Sequence, residues 1–140
     1  MSILKKFNPE WFLRIGFGLM YLYSGADLIQ HPTSWHWALP YWMKQMISTV
    51  IPLDMYLRFQ GGVEILMALC LLAWFLKPAI VKYAALLSTL EMAAILLLAF
   101  LPWSETNFLI TFRDIGLLGS SLALFLLFYN RETANPPNFV

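Results

Sequence analysis

The sequence predicts an all-α protein: a transmembrane four-helix bundle with a short interfacial helix between its first and second spans. Three observations predict it. Of the 140 residues, 60% are hydrophobic and only 12% are charged, whereas soluble domains carry about 25% charged residues. Mean hydropathy is +0.67. Four apolar runs, each near the roughly 20 residues a bilayer span needs, are separated by proline-containing or polar breaks. Finally, the fourth run encloses an adjacent Arg113-Asp114 pair. Charges at such depth cost about 2.5–3.5 kcal/mol each on insertion scales and persist where they face protein, water or each other.

Taken in order, the first span covers residues 11–29, opened by Asn8-Pro9, with proline at the first helical position. Gly16, Gly18 and Gly25 offer close-packing surfaces of the kind that hold helices together in lipid. Lys5 and Lys6 before an apolar stretch ending in Ser24-Gly25-Ala26 have the outline of a signal peptide. Arg14 and Asp27, and the length of the segment, argue for a retained span instead.

His31-Pro32 ends that span. Residues 33–55 hold Trp35, Trp37, Tyr41 and Trp42, broken by Pro40 and Pro52. Tryptophan and tyrosine concentrate at the headgroup level, so this piece reads as a loop with one interfacial helix near residues 42–50. The second span covers residues 56–75 and carries Arg58, Gln60, Gly62 and Glu64. Lys77-Pro78 turns the chain into a third span at 79–101, with Ser88 and Glu91 inside it. A polar loop, 102–107, leads to the fourth span at 108–129, and a tail from residue 130 is expected to be unstructured at its end. The whole chain, 1–140, reads as one domain.

Four spans put both termini on one side. Lys5, Lys6, Arg14, Lys77, Lys82 and Arg131 fall on that side, against Lys44 and Arg58 on the other, with Arg113 left out as buried. The positive-inside rule then makes the termini cytoplasmic. A net charge of +1 without a basic block gives no nucleic-acid footprint. Cys70 is the single cysteine, which excludes an internal disulfide or a CxxC couple. Any redox role therefore needs a bound cofactor or a partner. His31 and His36, five apart on a broken loop, suit interfacial hydrogen bonding better than metal ligation.

The polar residues of the spans fall at helical spacing. Gln60 and Glu64 are i, i+4; Ser88 and Glu91 are i, i+3; Ser24, Asp27 and His31 form one stripe, and Thr111, Asp114, Leu118 and Ser121 another. At 1.5 Å per residue, Glu64 and Asp114 are expected roughly 10 Å below the non-cytoplasmic surface, with Glu91 nearer the midplane. Arg113 could pair with Glu64 or with Asp114. Glu91, more isolated, is expected to hold its proton. A paired arginine can equally serve only to fix helix register.

Arg14-Ile15-Gly16 through Tyr23-Ser24-Gly25, then Gly62-Val63-Glu64-Ile65, then Phe112-Arg113-Asp114-Ile115-Gly116-Leu117-Leu118 together resemble the DoxX-like family of small four-helix membrane proteins. The likeness covers residues 11–128. It implies one four-helix unit in a prokaryotic cytoplasmic membrane and quinone-linked redox work. It carries over Gly62, Glu64, Arg113 and Asp114 as site positions; Asp27-Leu28 departs from the basic residue expected after the Ser-Gly pair.

The functional expectation is a subunit of a membrane oxidoreductase complex. Gln60, Gly62, Glu64 and Arg113 would hold a quinone headgroup; Glu64, Glu91, Arg113 and Asp114 would supply hydrogen bonds and a proton path. Its partners would be the bilayer, a membrane or extracytoplasmic redox protein, and a second copy of the chain. The alternative is a non-catalytic accessory protein whose Trp-rich segment docks a partner. A small proton-coupled exporter fits less well: the small multidrug resistance proteins place their membrane glutamate in the first helix, and this first span has none.

Overall fold

A computed structural model describes residues 8–99 and 108–134. Its helices are α1 (Pro9–Gln30), a 3-10 helix (Pro32–Ala38), α2 (Tyr41–Ser48), α3 (Leu53–Leu72), α4 (Pro78–Ala99) and α5 (Phe108–Ala134). The polar loop expected at 102–107 lies outside the described residues.

Helix starts follow local chemistry. The Asn8 side chain accepts the Glu10 amide N–H at 3.0 Å, Pro9 sits in the first turn, and Glu10 places a negative charge at the positive end of the dipole. Pro52 precedes α3 and Asp54 stands in its first turn; Pro78 opens α4. At the end of α1 the His31 amide still bonds the Asp27 carbonyl at 2.7 Å, and Pro32, which has no N–H to continue the ladder, stops it.

The four long helices alternate in direction. Arg14 meets the end of α3 and Gly25 meets Gly61, so α1 and α3 run antiparallel. Gln60 meets Glu91 and Met67 meets Ser88, so α3 and α4 do too. Arg131 reaches Glu10, which sets α5 against α1. Packing is uneven. The α1–α3 and α4–α5 pairs are broad, while α3–α4 and α1–α5 meet along narrower seams.

The main apolar core fills the half of the bundle that holds the chain ends. Phe17 and Tyr21 of α1, Met67 and Leu71 of α3, Val81 and Ala85 of α4, and Leu124 and Phe128 of α5 are buried there. The outer surface is also apolar: Leu19, Tyr23, Phe59, Leu66, Tyr83 and Leu97 are all exposed. Helices apolar all round belong to the interior of a large assembly or to a membrane. Among the described residues, Leu53–Leu72 and Pro78–Leu98 are long and apolar enough to cross a bilayer. Helix α1 carries Glu10, Arg14 and Asp27, and α5 carries Arg113, Asp114 and Arg131, which lower their mean hydropathy.

Boundaries moved where side chains act on helix ends. The second span was expected at 56–75, yet α3 ends at Leu72. Arg14 caps it there, its Nε donating to the Leu71 carbonyl at 2.7 Å and its Nη2 to the Ala73 carbonyl at 2.8 Å. The fourth helix was expected to stop at 129 and continues to Ala134. That extension carries Arg131 to Glu10, at 2.9 Å. A helix is found close to the expected 42–50, as α2, preceded by a 3-10 helix where a loop is expected.

Candidate functional site

Above the apolar core lies a layer of polar side chains from three helices. The Ser24 hydroxyl of α1 donates to Glu64 Oε2 of α3. Gln60, one turn before Glu64, donates through Nε2 to Glu91 Oε1 of α4 and lies within reach of the Glu64 carboxyl as well. Ser88, one turn before Glu91, donates to the Ala84 carbonyl at 3.0 Å, a bond back to its own helix.

Tyr21 completes the layer. It is 1% exposed, and its hydroxyl lies beside Ser88 and Glu91. Glu91 Oε2 is likewise buried, with the Tyr21 hydroxyl within its reach. Buried polar atoms are nearly always satisfied, and these two can satisfy each other. None of the ion pairs among the described residues includes Glu64 or Glu91.

The layer gathers Gln60, Glu64 and Glu91 from the expected site and leaves the others apart. Arg113 does not reach Glu64. It folds onto its neighbour, with Nε and Nη2 each 2.9 Å from Asp114 Oδ1. The Arg113 side chain is 64% exposed and that of Asp114 5%, so the pair lies at the flank of α5 with the carboxylate turned inward. Gly62 stands on an exposed flank of α3, where an added Cβ would meet nothing within 4 Å. Its neighbour Gly61 is the one in the helix crossing. Glu91, expected to be isolated, is held by Gln60.

One cluster and one single residue were not among the expected site positions. At the chain-end face Glu10 is buried and bridges two arginines, Arg14 at 3.1 Å and Arg131 at 2.9 Å, while Arg14 also stacks 4.1 Å from the Trp11 ring centroid. The i, i+4 spacing of Glu10 and Arg14 was the available signal. The second omission is Tyr21, which reads as an ordinary bundle aromatic; its place three residues before Ser24 was the clue.

The opposite face is closed by the 3-10 helix and α2. Asp27 accepts from the Trp35 indole at 2.8 Å and contacts His31 at 3.0 Å; His36 Nε2 lies 2.7 Å from Asp54. Both histidines serve in hydrogen bonds, as their spacing suggested. No group of three or more His, Cys, Asp or Glu side chains that could hold a metal occurs among the described residues. Arg58 caps α1 by donating to the Ile29 carbonyl. Comparison with protein-family models, with curated proteins and with solved structures finds no match.

Proposed function

We propose that the chain is a four-span integral membrane protein of DoxX-like type, a redox-associated subunit whose polar layer binds a quinone headgroup. The observation that carries this reading is the interior polar layer of Tyr21, Ser24, Gln60, Glu64 and Glu91 within a bundle that is apolar on its outside. The apolar exterior supports burial in lipid around all four long helices. The lysine and arginine distribution supports cytoplasmic termini in a prokaryotic membrane.

The residues fit a quinone in kind. A bound quinone supplies two-electron, two-proton chemistry that the chain's own side chains lack. Gln60 and Glu91 are half-buried where α3 meets α4. The quinone oxygens need donors, which Tyr21 and the Gln60–Glu91 pair can offer. Ser24 fixes the Glu64 carboxyl from behind. Arg113 and Asp114 lie outside this set, paired with each other on α5.

A second reading, an accessory protein without a cofactor, draws on the exposed Trp37, Tyr41 and Trp42 of the cap. One experiment separates them. The protein is purified in mild detergent and its bound small molecules are identified by mass spectrometry. A stoichiometric quinone, lost in Glu91→Leu and retained in Arg113→Ala, supports the proposal. An empty or lipid-only extract from the folded wild type retires it in favour of the accessory reading.

A further inference from the structure

Arg113 has two sides to satisfy. Its Nε and Nη2 are each 2.9 Å from Asp114 Oδ1, and the carboxylate they hold is turned inward. A guanidinium has five N–H donors and this edge takes up two, so three remain. Among the described residues Arg113 makes no other hydrogen bond or ion pair. Its side chain is 64% exposed, on a helix whose neighbouring Ile115 is exposed too. A charge on the lipid side of a span persists where it meets water, headgroups or protein.

We propose that Arg113 and the small residues after it on α5 form a seat for one phospholipid, with the phosphodiester on the guanidinium and an acyl chain along the helix toward Ala123. This rests on the four-span reading above and is independent of the quinone. Side chains on a helix lean toward its N-terminus, which for α5 is the cap side. Arg113 stands about 7.5 Å along the axis from Phe108, where α5 begins. Its long stem therefore keeps the charge at headgroup level while the helix enters the apolar core. A guanidinium binds phosphate oxygens through paired N–H groups and holds its charge at any physiological pH.

The helix surface beyond Arg113 fits a chain. Gly116 lies one turn on, and Gly119 and Ala123 continue the same exposed flank. A Cβ built at either glycine would meet nothing within 4 Å, so the surface is lowest there, with Ile115 and Leu122 exposed beside it. From Arg113 to Ala123 the helix runs about 15 Å, half of the roughly 30 Å hydrocarbon core and so the depth of one leaflet. Charge and channel are thus matched in length to a single lipid. A second copy of the chain suits the strip less well. Its α5 would bring another Arg113 at the same depth and no carboxylate, since Asp114 is turned inward.

The test titrates the purified full chain in detergent with phosphatidylglycerol and counts bound lipids by native mass spectrometry. Wild type is expected to hold one lipid about tenfold more tightly than the double variant Arg113→Ala, Asp114→Ala, the worth of a charge-assisted hydrogen bond. Gly116→Leu fills the channel and leaves the ion pair in place; it should weaken that lipid to a similar extent. Gly16→Leu, at an equally open position on α1, should keep it. Diacylglycerol with the same chains should not occupy the seat, and glycerophosphoglycerol, the headgroup without chains, should not compete for it. Competition by the headgroup alone would make this a free-phosphate site and overturn the lipid seat, as would equal lipid binding by wild type and both α5 variants. A lipid-free wild-type dimer that Gly116→Leu turns into a monomer would put a second copy there instead. Folded wild type that stays soluble without detergent and does not float with phosphatidylglycerol vesicles overturns the membrane reading itself.

Discussion

Gly25 of α1 and Gly61 of α3 meet backbone to backbone. A Cβ built on Gly25 would fall 2.7 Å from the Gly61 carbonyl oxygen, and one on Gly61 would fall 2.6 Å from that of Gly25. The crossing lies one turn from the Ser24–Glu64 contact, so the spacing of the two backbones sets how the polar layer closes. Gly61→Ala should part the helices and cost about 1–3 kcal/mol, as overpacking does. Gly62→Ala, with open space at its Cβ, should be neutral or stabilise by up to about 1 kcal/mol. Thermal unfolding in detergent checks both, and equal losses would contradict the assignment of the crossing.

Arg14 joins three elements through one guanidinium: the α3 carbonyls of Leu71 and Ala73, its own helix through Glu10, and α5 through Glu10 and Arg131. Arg14→Ala leaves Glu10 buried with a single, half-exposed partner and should cost about 3–5 kcal/mol, the range for breaking a buried pair. Arg131→Ala removes the half-exposed partner and should cost no more than about 1 kcal/mol. Denaturant unfolding of the two variants under one condition gives the comparison. A similar loss in both would mean that Arg14 does not cap α3.

These clusters show what the sequence could and could not say. Long apolar runs and proline breaks made the four long helices legible, because hydropathy and the missing proline N–H act locally. The pairing of Gln60 with Glu64 on one face was legible too, since i, i+4 spacing fixes a face; the contact of Gln60 with Glu91 on another helix was not. Partner choice was not. Arg113 had two carboxylates to choose from, and the choice between Asp114 and Glu64 depends on how α5 is rotated, which no single helix encodes. Glu10, Arg14 and Arg131 looked like flanking charges because their meeting depends on α1 and α5 running side by side in opposite directions, over 121 positions of sequence. Gly61 and Gly62 differ by one position, a turn of about 100° on a helix of 3.6 residues per turn. Only the packed pair tells which one the crossing uses.

The Arg113–Asp114 pair is predicted to be structural. Arg113→Ala strands the buried Asp114 carboxylate, whereas Arg113→Ala with Asp114→Ala removes both members. The double variant should therefore be more stable than Arg113→Ala alone, by about 1–3 kcal/mol of coupling. A double-mutant cycle measured by unfolding in detergent tests this. Simple additivity would show that the two side chains act independently.

The cap is held by contacts that are individually weak. His36–Asp54 is exposed on both sides, and such pairs are worth about 0.2–1 kcal/mol. His36→Ala should hardly change global stability, yet it frees the 3-10 helix from the start of α3. Limited proteolysis should then cut between residues 33 and 51 faster than in wild type, with the four long helices unchanged. Equal cutting rates would mean that the Trp35–Asp27 bond alone holds the cap.

On the proposed membrane reading, the orientation is predicted from where the bundle puts its charges. Arg14, Lys77, Lys82 and Arg131 all belong to helix ends at the chain-end face, while the cap side offers Lys44, Arg58 and Arg113, which was expected to be buried and is exposed. In a Cys70→Ser background, Thr49→Cys on the exposed end of the cap and Lys77→Cys in the exposed α3–α4 turn provide reporters on opposite faces. An impermeant maleimide applied to intact cells should label Thr49→Cys and spare Lys77→Cys until the membrane is opened. The reverse pattern would invert the topology while keeping the spans. Labelling of both sites in sealed cells would remove the bilayer from between them, and the apolar exterior of the bundle would then have to be covered by protein.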